Sequence, residues 1–399
     1  MPSAWRAVAG ATALNAPLGS LYAFSVFLRP LETLLGVSRA ELALVFALAS
    51  AGFGAGMLTA PRSFGLGPTP LLVLASGMVG TLGIAVAATA GGLAQLALGY
   101  GVLFGLGGGA AYILAQQAVN LAVTRRHGLV NGYVVALYPA GAMLAAPLFA
   151  WGIRASGVRA TLWGLAVVLA LTGSLAAGLI AGSAVSLRGA ATSVVLLPGE
   201  RRPAVFWRLC LVFFLAASSG LMVLSQAAGI ITAYGGAGAL AVYGTTFIAG
   251  SIAVARLAGG WMVDWLTIPA VAAGAHVVAL SGNAILTLWP GPAVSVVALT
   301  LVGLGYGVIS GLTAAAVAVY WRRALYGLMA SRVYLAWCCA AIVLPITAGR
   351  LFDLTQGYGV AIIIAGAGNL LGIVVALGLP HERAAARDAR TDARATLST

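Results

Sequence analysis

The sequence predicts an all-α membrane protein of twelve transmembrane helices, arranged as two six-helix halves with both termini in the cytoplasm. Three observations predict it: apolar runs long enough to cross a bilayer, too little charge to solvate them, and a pattern that recurs at half the chain length. The 399 residues are 61% hydrophobic and 7% charged, whereas a soluble domain carries roughly a quarter charged residues. So few charges cannot keep a chain of this size in water, but they can coat the two ends of a helix bundle in lipid. A transmembrane β-barrel would show short alternating segments; the runs here are continuous.

Twelve runs are read, at about 4–28, 39–60, 70–90, 93–119, 128–153, 159–182, 204–233, 239–263, 268–289, 292–319, 325–350 and 358–380. Each holds roughly 20 residues or more, enough to cross about 30 Å of hydrocarbon at about 1.5 Å per residue. The first follows Trp5-Arg6 directly and continues to Leu28, which suits a spanning helix better than a cleaved signal peptide. The longest polar-leaning connection, Ser183 to Pro203, divides the chain near its middle. The expected domains are therefore an N-terminal six-helix bundle (1–182), a cytoplasmic inter-half loop (183–203), a C-terminal six-helix bundle (204–380) and a disordered cytoplasmic tail (381–399), which is charged and alanine-rich.

The net charge is +13, yet a nucleic-acid partner is not expected. All 21 basic residues are arginines, set in short clusters between apolar runs with no continuous basic face. Their distribution instead fixes orientation. A cytoplasmic N-terminus puts Arg6, Arg62, Arg125, Arg126, Arg188, Arg201, Arg202, Arg208, Arg322, Arg323 and the tail arginines inside, leaving Arg29, Arg39, Arg154, Arg159 and Arg350 outside. Cys210, Cys338 and Cys339 all lie in apolar stretches and read as small core residues. No metal cluster, phosphate loop or nucleophile–histidine–acid set lies within a span, so no enzyme activity, metal or cofactor is expected.

Gly105-Leu106-Gly107-Gly108-Gly109 in the fourth run recurs as Gly303-Leu304-Gly305-Tyr306-Gly307 in the tenth, an offset of 198 that also carries Pro147 onto Pro345. Two related halves bind their substrate near the bilayer midplane. The pairs Gly52/Gly56, Gly105/Gly109 and Gly303/Gly307 have the small-xxx-small spacing that lets helices approach closely.

Several patterns carry a family resemblance. The first run reads Tyr22-Ala23-Phe24-Ser25-Val26-Phe27, then Pro30 and Leu35-Gly36-Val37-Ser38. A second stretch runs from Tyr112 through Asn120 and Gly128 to Tyr138. A third is Phe206-Trp207 followed by Ser219-Gly220-Leu221-Met222, and a fourth is Arg256-Leu257-Ala258-Gly259-Gly260-Trp261-Met262-Val263-Asp264. Together they resemble the oxalate/formate antiporter family of the major facilitator superfamily, related to the monocarboxylate transporters. The loop after the second run departs from the superfamily's Gly-x-x-x-Asp-Arg pattern, reading Gly56 to Arg62 without the acid. The C-terminal copy keeps Gly260 and Asp264, the expected gating motif, but has Trp265 where a base is usual.

Arg256 is the sharpest candidate. It lies about eight residues, roughly 12 Å, from the end of its helix, close to the bilayer centre, where a charge is costly unless it meets a cavity or partner. No acid lies in any helix interior to pair with it in the sequence. A guanidinium there suits a carboxylate taken bidentately, and the resemblance implies that this position binds the anion. The resemblance likewise implies that Tyr22, Tyr112, Tyr138 and Tyr306 line the substrate site. Where oxalate transporters carry a lysine in the eleventh helix, Tyr334-Leu335-Ala336-Trp337-Cys338 places Trp337. One firm positive charge favours a monocarboxylate over a dianion. Arg332 can snorkel to the surface and is not expected to bind substrate. His276 reads as packing; Gln116, Gln117, Asn120 and Gln226 read as helix–helix hydrogen bonding.

The expected function is transport of a small organic anion such as formate, lactate or pyruvate across the inner membrane by alternating access, with Arg256 holding the carboxylate. The alternative is an exporter of a neutral or apolar compound, with Arg256 structural. Coupling is open between anion exchange, proton co-movement and uniport. The expected partners are the substrate anion, a proton or counter-anion and the lipid bilayer, and a monomer is expected.

Overall fold

A computed structural model describes residues 3–191 and 201–382. Residues 192–200 of the inter-half loop, and the tail from 383 onward for which disorder was expected, lie outside the described residues. The described chain is helical nearly throughout. α1 spans Ala4–Leu35, α2 Arg39–Ser63, α3 Thr69–Ala88 and α4 Leu93–Ala122. α7 is Pro203–Ala233, α8 Gly238–Trp265, α9 Ile268–Leu288, α10 Pro292–Tyr320, α11 Arg323–Thr355 and α12 Gly359–Leu377. Between them, His127–Ala181 runs as 55 residues of nearly unbroken helix. That length, at about 1.5 Å per residue, is more than twice the hydrocarbon thickness. Gly157, at φ 82° and ψ 172°, breaks it, because an L-residue rarely adopts that conformation. The break yields α5 (127–156) and α6 (158–181) and so gives the twelve expected spans.

Two helices carry irregular turns. In α1, Gly19–Phe27 is a 3₁₀ stretch of nine residues, long for that geometry. The tighter ladder re-routes backbone acceptors, and the Tyr100 hydroxyl donates to the Leu21 carbonyl at 3.3 Å. In α4, Ala97–Phe104 is a π-helix. The π stretch sets Gly99 against Gly83 and Ala87 of α3 at backbone contact.

The described residues form two compact units. The first holds 3–124, 137–191 and 321–334; the second holds 125–136, 201–320 and 335–382. Each unit thus takes a short segment from the other sequence half: the start of α11 belongs to the first, and the start of α5 to the second.

Within the first unit, a Cβ on Gly105 would lie 2.5 Å from the Ala49 carbonyl, and one on Gly109 would collide with the Phe53 carbonyl. α4 therefore lies with its backbone against α2. The second unit repeats the arrangement with α10 on α8: a Cβ on Gly307 would lie 2.6 Å from Ala255 Cβ. The two glycine repeats thus serve equivalent helix pairs. Large apolar side chains face outward from many helices, among them Leu148, Val254 and Val374, which suits a lipid surround.

Gly109→Val should destabilise the protein by about 1–3 kcal/mol through overpacking against backbone, read as a lower melting temperature in detergent. Gly349→Ala, on an α11 position where a Cβ meets nothing within 4 Å, should leave it unchanged or raise stability by about 0.5–1 kcal/mol.

Candidate functional site

Arg256 sits on α8 and Tyr306 on α10, and glycine brings the two backbones together. A Cβ on Gly311 would collide with the Arg256 carbonyl, and one on Gly259 with that of Val308. At this separation the guanidinium reaches the tyrosine. Arg256 Nη2 donates to the Tyr306 hydroxyl at 2.8 Å, and its Cζ lies 5.3 Å from the ring centroid. Nη1 donates to the Val135 carbonyl on α5 at 3.4 Å. The arginine is 3% exposed, so these contacts replace its water; a cation over an aromatic face gains most when desolvated.

From α11, Trp337 Nε1 donates to the same Tyr306 oxygen at 2.9 Å. Two donors from different helices therefore converge on one oxygen. The ring itself rests against α7, where any side-chain carbon on Gly220 would overlap it. Arg256, Tyr306 and Trp337 form one buried cluster in the second unit, and Gly220 is the seat of its central ring.

Tyr22, Tyr112 and Tyr138 come together in the first unit. Tyr112 and Tyr138 meet edge to face, with centroids 5.2 Å apart and planes at 88°. Tyr22 meets Tyr138 at 6.0 Å and 61°. Phe53 and Tyr334 complete the cluster, Phe53 against Tyr138 at 5.5 Å and Tyr334 against Tyr112 at 5.5 Å. Edge-to-face pairs of this kind each contribute about 0.5–1.5 kcal/mol beyond burial. Tyr138 is held by its backbone: Gly19 lets α1 lie directly against the Tyr138 peptide, and Gly141 does the same against Ala16. Its hydroxyl donates to the Gly108 carbonyl at 3.2 Å.

The two residues of the expected gating motif lie on the last turns of α8. Asp264 accepts from the amides of Gly128 and Leu129, at 2.9 Å each, and so caps the N-terminus of α5, where unsatisfied amides and the helix dipole favour an anion. Gly260 makes room for this. A Cβ on Gly132 would lie 2.9 Å from the Gly260 Cα and from the Arg256 carbonyl.

The polar residues of α4 turn toward α11 within the first unit. Gln116 accepts from the Tyr326 hydroxyl at 2.7 Å. Gln117 accepts from the Gly327 amide at 2.5 Å and donates to the Arg323 carbonyl at 2.9 Å. Asn120 donates to the Gln116 carbonyl, and Gln226 accepts from the Tyr358 hydroxyl. Gln116, Gln117 and Gln226 thus make the helix–helix bonds expected of them, while this bond of Asn120 stays within α4. Arg332 is exposed.

Reading the sequence alone misses Phe53, Gly220 and the pair Gly128/Gly132 as parts of these clusters. The four-residue spacing of Gly128 and Gly132 was an available signal of close helix approach. Nothing local marks Gly220 as the seat of a ring on α10.

The family model described as Major Facilitator Superfamily matches residues 8–345. A curated relative, the "Uncharacterized MFS-type transporter YhjX" of Escherichia coli (strain K12), is 25% identical over 230 residues, which make up 57% of this chain and 57% of that relative. The chain thus spans a little over half the length of the relative it matches. Among solved structures, the proton:xylose symporter XylE shares 13% identity at a TM-score of 0.74, covering 96% of this chain and 97% of that one. The human organic anion transporter MFSD10 (TETRAN) shares 18% identity at a TM-score of 0.71, covering 94% and 100%. At these identities the structures show the fold alone. The family model, matched over most of the chain, shows that the protein belongs to the Major Facilitator Superfamily, and its long apolar helices suit a multi-pass membrane protein.

Proposed function

We propose that this protein carries a small monocarboxylate such as formate, lactate or pyruvate, held by Arg256, Tyr306 and Trp337 and moved by alternating access. The observation that carries the reading is the convergence of Arg256 Nη2 and Trp337 Nε1 on the Tyr306 oxygen. Two donors aimed at one oxygen are a receptor for a carboxylate oxygen. A carboxylate oxygen that took the place of the phenol oxygen would accept the hydrogens Arg256 and Trp337 now give to it, and the phenol keeps its own O–H to donate.

The charge count supports a single carboxylate. Arg256 is the one buried arginine among the described residues, and the chain has no lysine. A second carboxylate held in the same low dielectric would go unmatched. The indole and phenol rings suit an apolar substrate end instead. For Tyr22, Tyr112 and Tyr138 the proposal keeps the substrate-lining role the resemblance implies. Placement within the oxalate/formate antiporter family, the inner membrane and cytoplasmic termini belong to the same proposal.

Gating, in this reading, uses Gly260 and Asp264. The aspartate's hold on α5 is a capping interaction, worth about 1 kcal/mol. That is strong enough to bias one conformation and weak enough to break in each cycle.

Three outcomes check the proposal. Arg256→Ala should weaken binding of lactate or formate roughly 10- to 150-fold, from a charged hydrogen bond worth about 1.5–3 kcal/mol. Melting-temperature shifts across a carboxylate panel would show the loss, and hits confined to neutral compounds in the wild type would sink the anion reading. Trp337→Lys, which adds a second positive charge, should gain a melting-temperature shift with oxalate that the wild type lacks. Asp264→Asn should speed amide exchange at Gly128 and Leu129 roughly fivefold, from a cap worth about 1 kcal/mol. Exchange mass spectrometry of the peptide covering 127–135 reads it, and unchanged rates would remove the aspartate from the gate.

A further inference from the structure

His276 lies within α9 and is fully buried in the second unit. α9 packs on α10 and α12, with lighter contacts to α7 and α8. The hydrogen-bonded network around the ring fixes its tautomer. Asn369 Nδ2 donates to the Ala365 carbonyl at 2.9 Å and to Ser219 Oγ at 3.2 Å. A backbone carbonyl can only accept, so this end of the amide is the NH₂ end and the oxygen faces the histidine. Asn369 Oδ1 lies 2.9 Å from His276 Nδ1. An amide oxygen also only accepts, so Nδ1 carries the hydrogen.

Nε2 is buried with no hydrogen-bond partner, although the Val212 backbone faces the ring. A cationic ring would stand fully buried with an amide rather than an acid as its side-chain partner, which a low dielectric disfavours. The resting imidazole is therefore neutral, and its Nε2 is a bare lone pair. The ring cannot turn away, because it lies directly against Gly372 on α12, where any Cβ would overlap it. The titratable or charged groups on the packed helices are Arg208 and Cys210 of α7, Tyr243, Arg256 and Asp264 of α8, and Tyr306 and Tyr320 of α10; α12 carries none. The recorded side-chain partner of the ring is Asn369. Asp264 and His127 are the other buried acid and histidine among the described residues, and both lie at helix ends.

The network reaches the anion cluster through consecutive residues of α7. Ser219 holds Asn369, and Gly220 is the surface on which the Tyr306 ring rests. We propose that His276 Nε2 is the proton-binding site that drives transport, and that α7 at Ser219–Gly220 couples its occupancy to the Arg256 cluster. The proton comes from the aqueous phase on one side, converts the imidazole to imidazolium and leaves to the other side with the substrate. Moved with one monocarboxylate, it makes the cycle electroneutral. Protonation puts a positive charge on a fully buried ring whose side-chain partner is an uncharged amide, so it favours another arrangement of α7, α9 and α12, as a coupling site requires. The coupling step rests on the carboxylate reading; the proton site does not.

The chain has three histidines, so the site can be observed directly. Tag-free His127→Gln/His381→Gln protein, labelled with ¹⁵N-histidine, should show Nδ1 protonated and Nε2 bare at alkaline pH. On acidification from about pH 9 to 5, the Nε2 signal should move to that of an imidazolium. A Nε2–H tautomer, or no titration, overturns the proposal. If the double variant does not fold, the same spectra of the wild type, compared with His276→Gln, decide it. In proteoliposomes, an acid-outside gradient should stimulate lactate uptake several-fold in the wild type. His276→Gln should lose that stimulation while keeping lactate–lactate exchange. Retained stimulation in His276→Gln overturns the coupling. Absence of any lactate flux in the wild type removes the carboxylate reading and the coupling step with it, and leaves the proton site to the spectra.

Discussion

The structure depends on helix backbones meeting without side chains between them. In lipid there is no water to drive apolar faces together, so helices associate through close packing. Glycine supplies it here at each junction that matters. Gly105 and Gly109 seat α4 on α2, Gly307 and Gly311 seat α10 on α8, and Gly128 and Gly132 seat α5 on Gly260. The buried polar contacts follow from these approaches. Arg256 reaches Tyr306 because Gly311 and Gly259 let α10 and α8 touch. Asp264 reaches two amides of α5 because Gly260 leaves room for Gly128 and Gly132. A methyl group at any of these positions would move a helix before it moved a side chain.

The same contacts explain how a charge survives at depth. The guanidinium of Arg256 has exchanged water for a phenol oxygen, an aromatic face and a backbone carbonyl. These partners hold the guanidinium in one place, as the binding role proposed for it needs.

Much of this was legible in the sequence, for identifiable reasons. The spans follow from composition, and the α5–α6 boundary falls at Gly157, in the gap between two apolar runs. The glycine repeat at residues 105–109 and 303–307 located equivalent helix pairs because it is a local pattern repeated in register. Arg256 stood out because a charge amid apolar residues needs a reason. Its partners did not: Val135 is 121 residues away and Tyr306 is 50, and no periodicity links them. The 3₁₀ stretch of α1 and the π stretch of α4 were equally hidden, since their residues read as ordinary helix and only tertiary packing selects the tighter or wider ladder.

The exchange of short segments between the two units has a consequence for biosynthesis. Gln116 and Gln117 emerge early, yet their partners Tyr326 and Gly327 lie 210 residues further along. At about 5–20 residues per second, a ribosome needs roughly 10–40 s to supply them. For that interval α4 stands in the bilayer with two amide side chains that have not yet met their mature partners. Asp264 imposes a shorter wait on the amides of α5, 136 residues ahead of it. The first half of the chain can thread into the membrane on its own, but it acquires its finished polar interior only when the second half has been made.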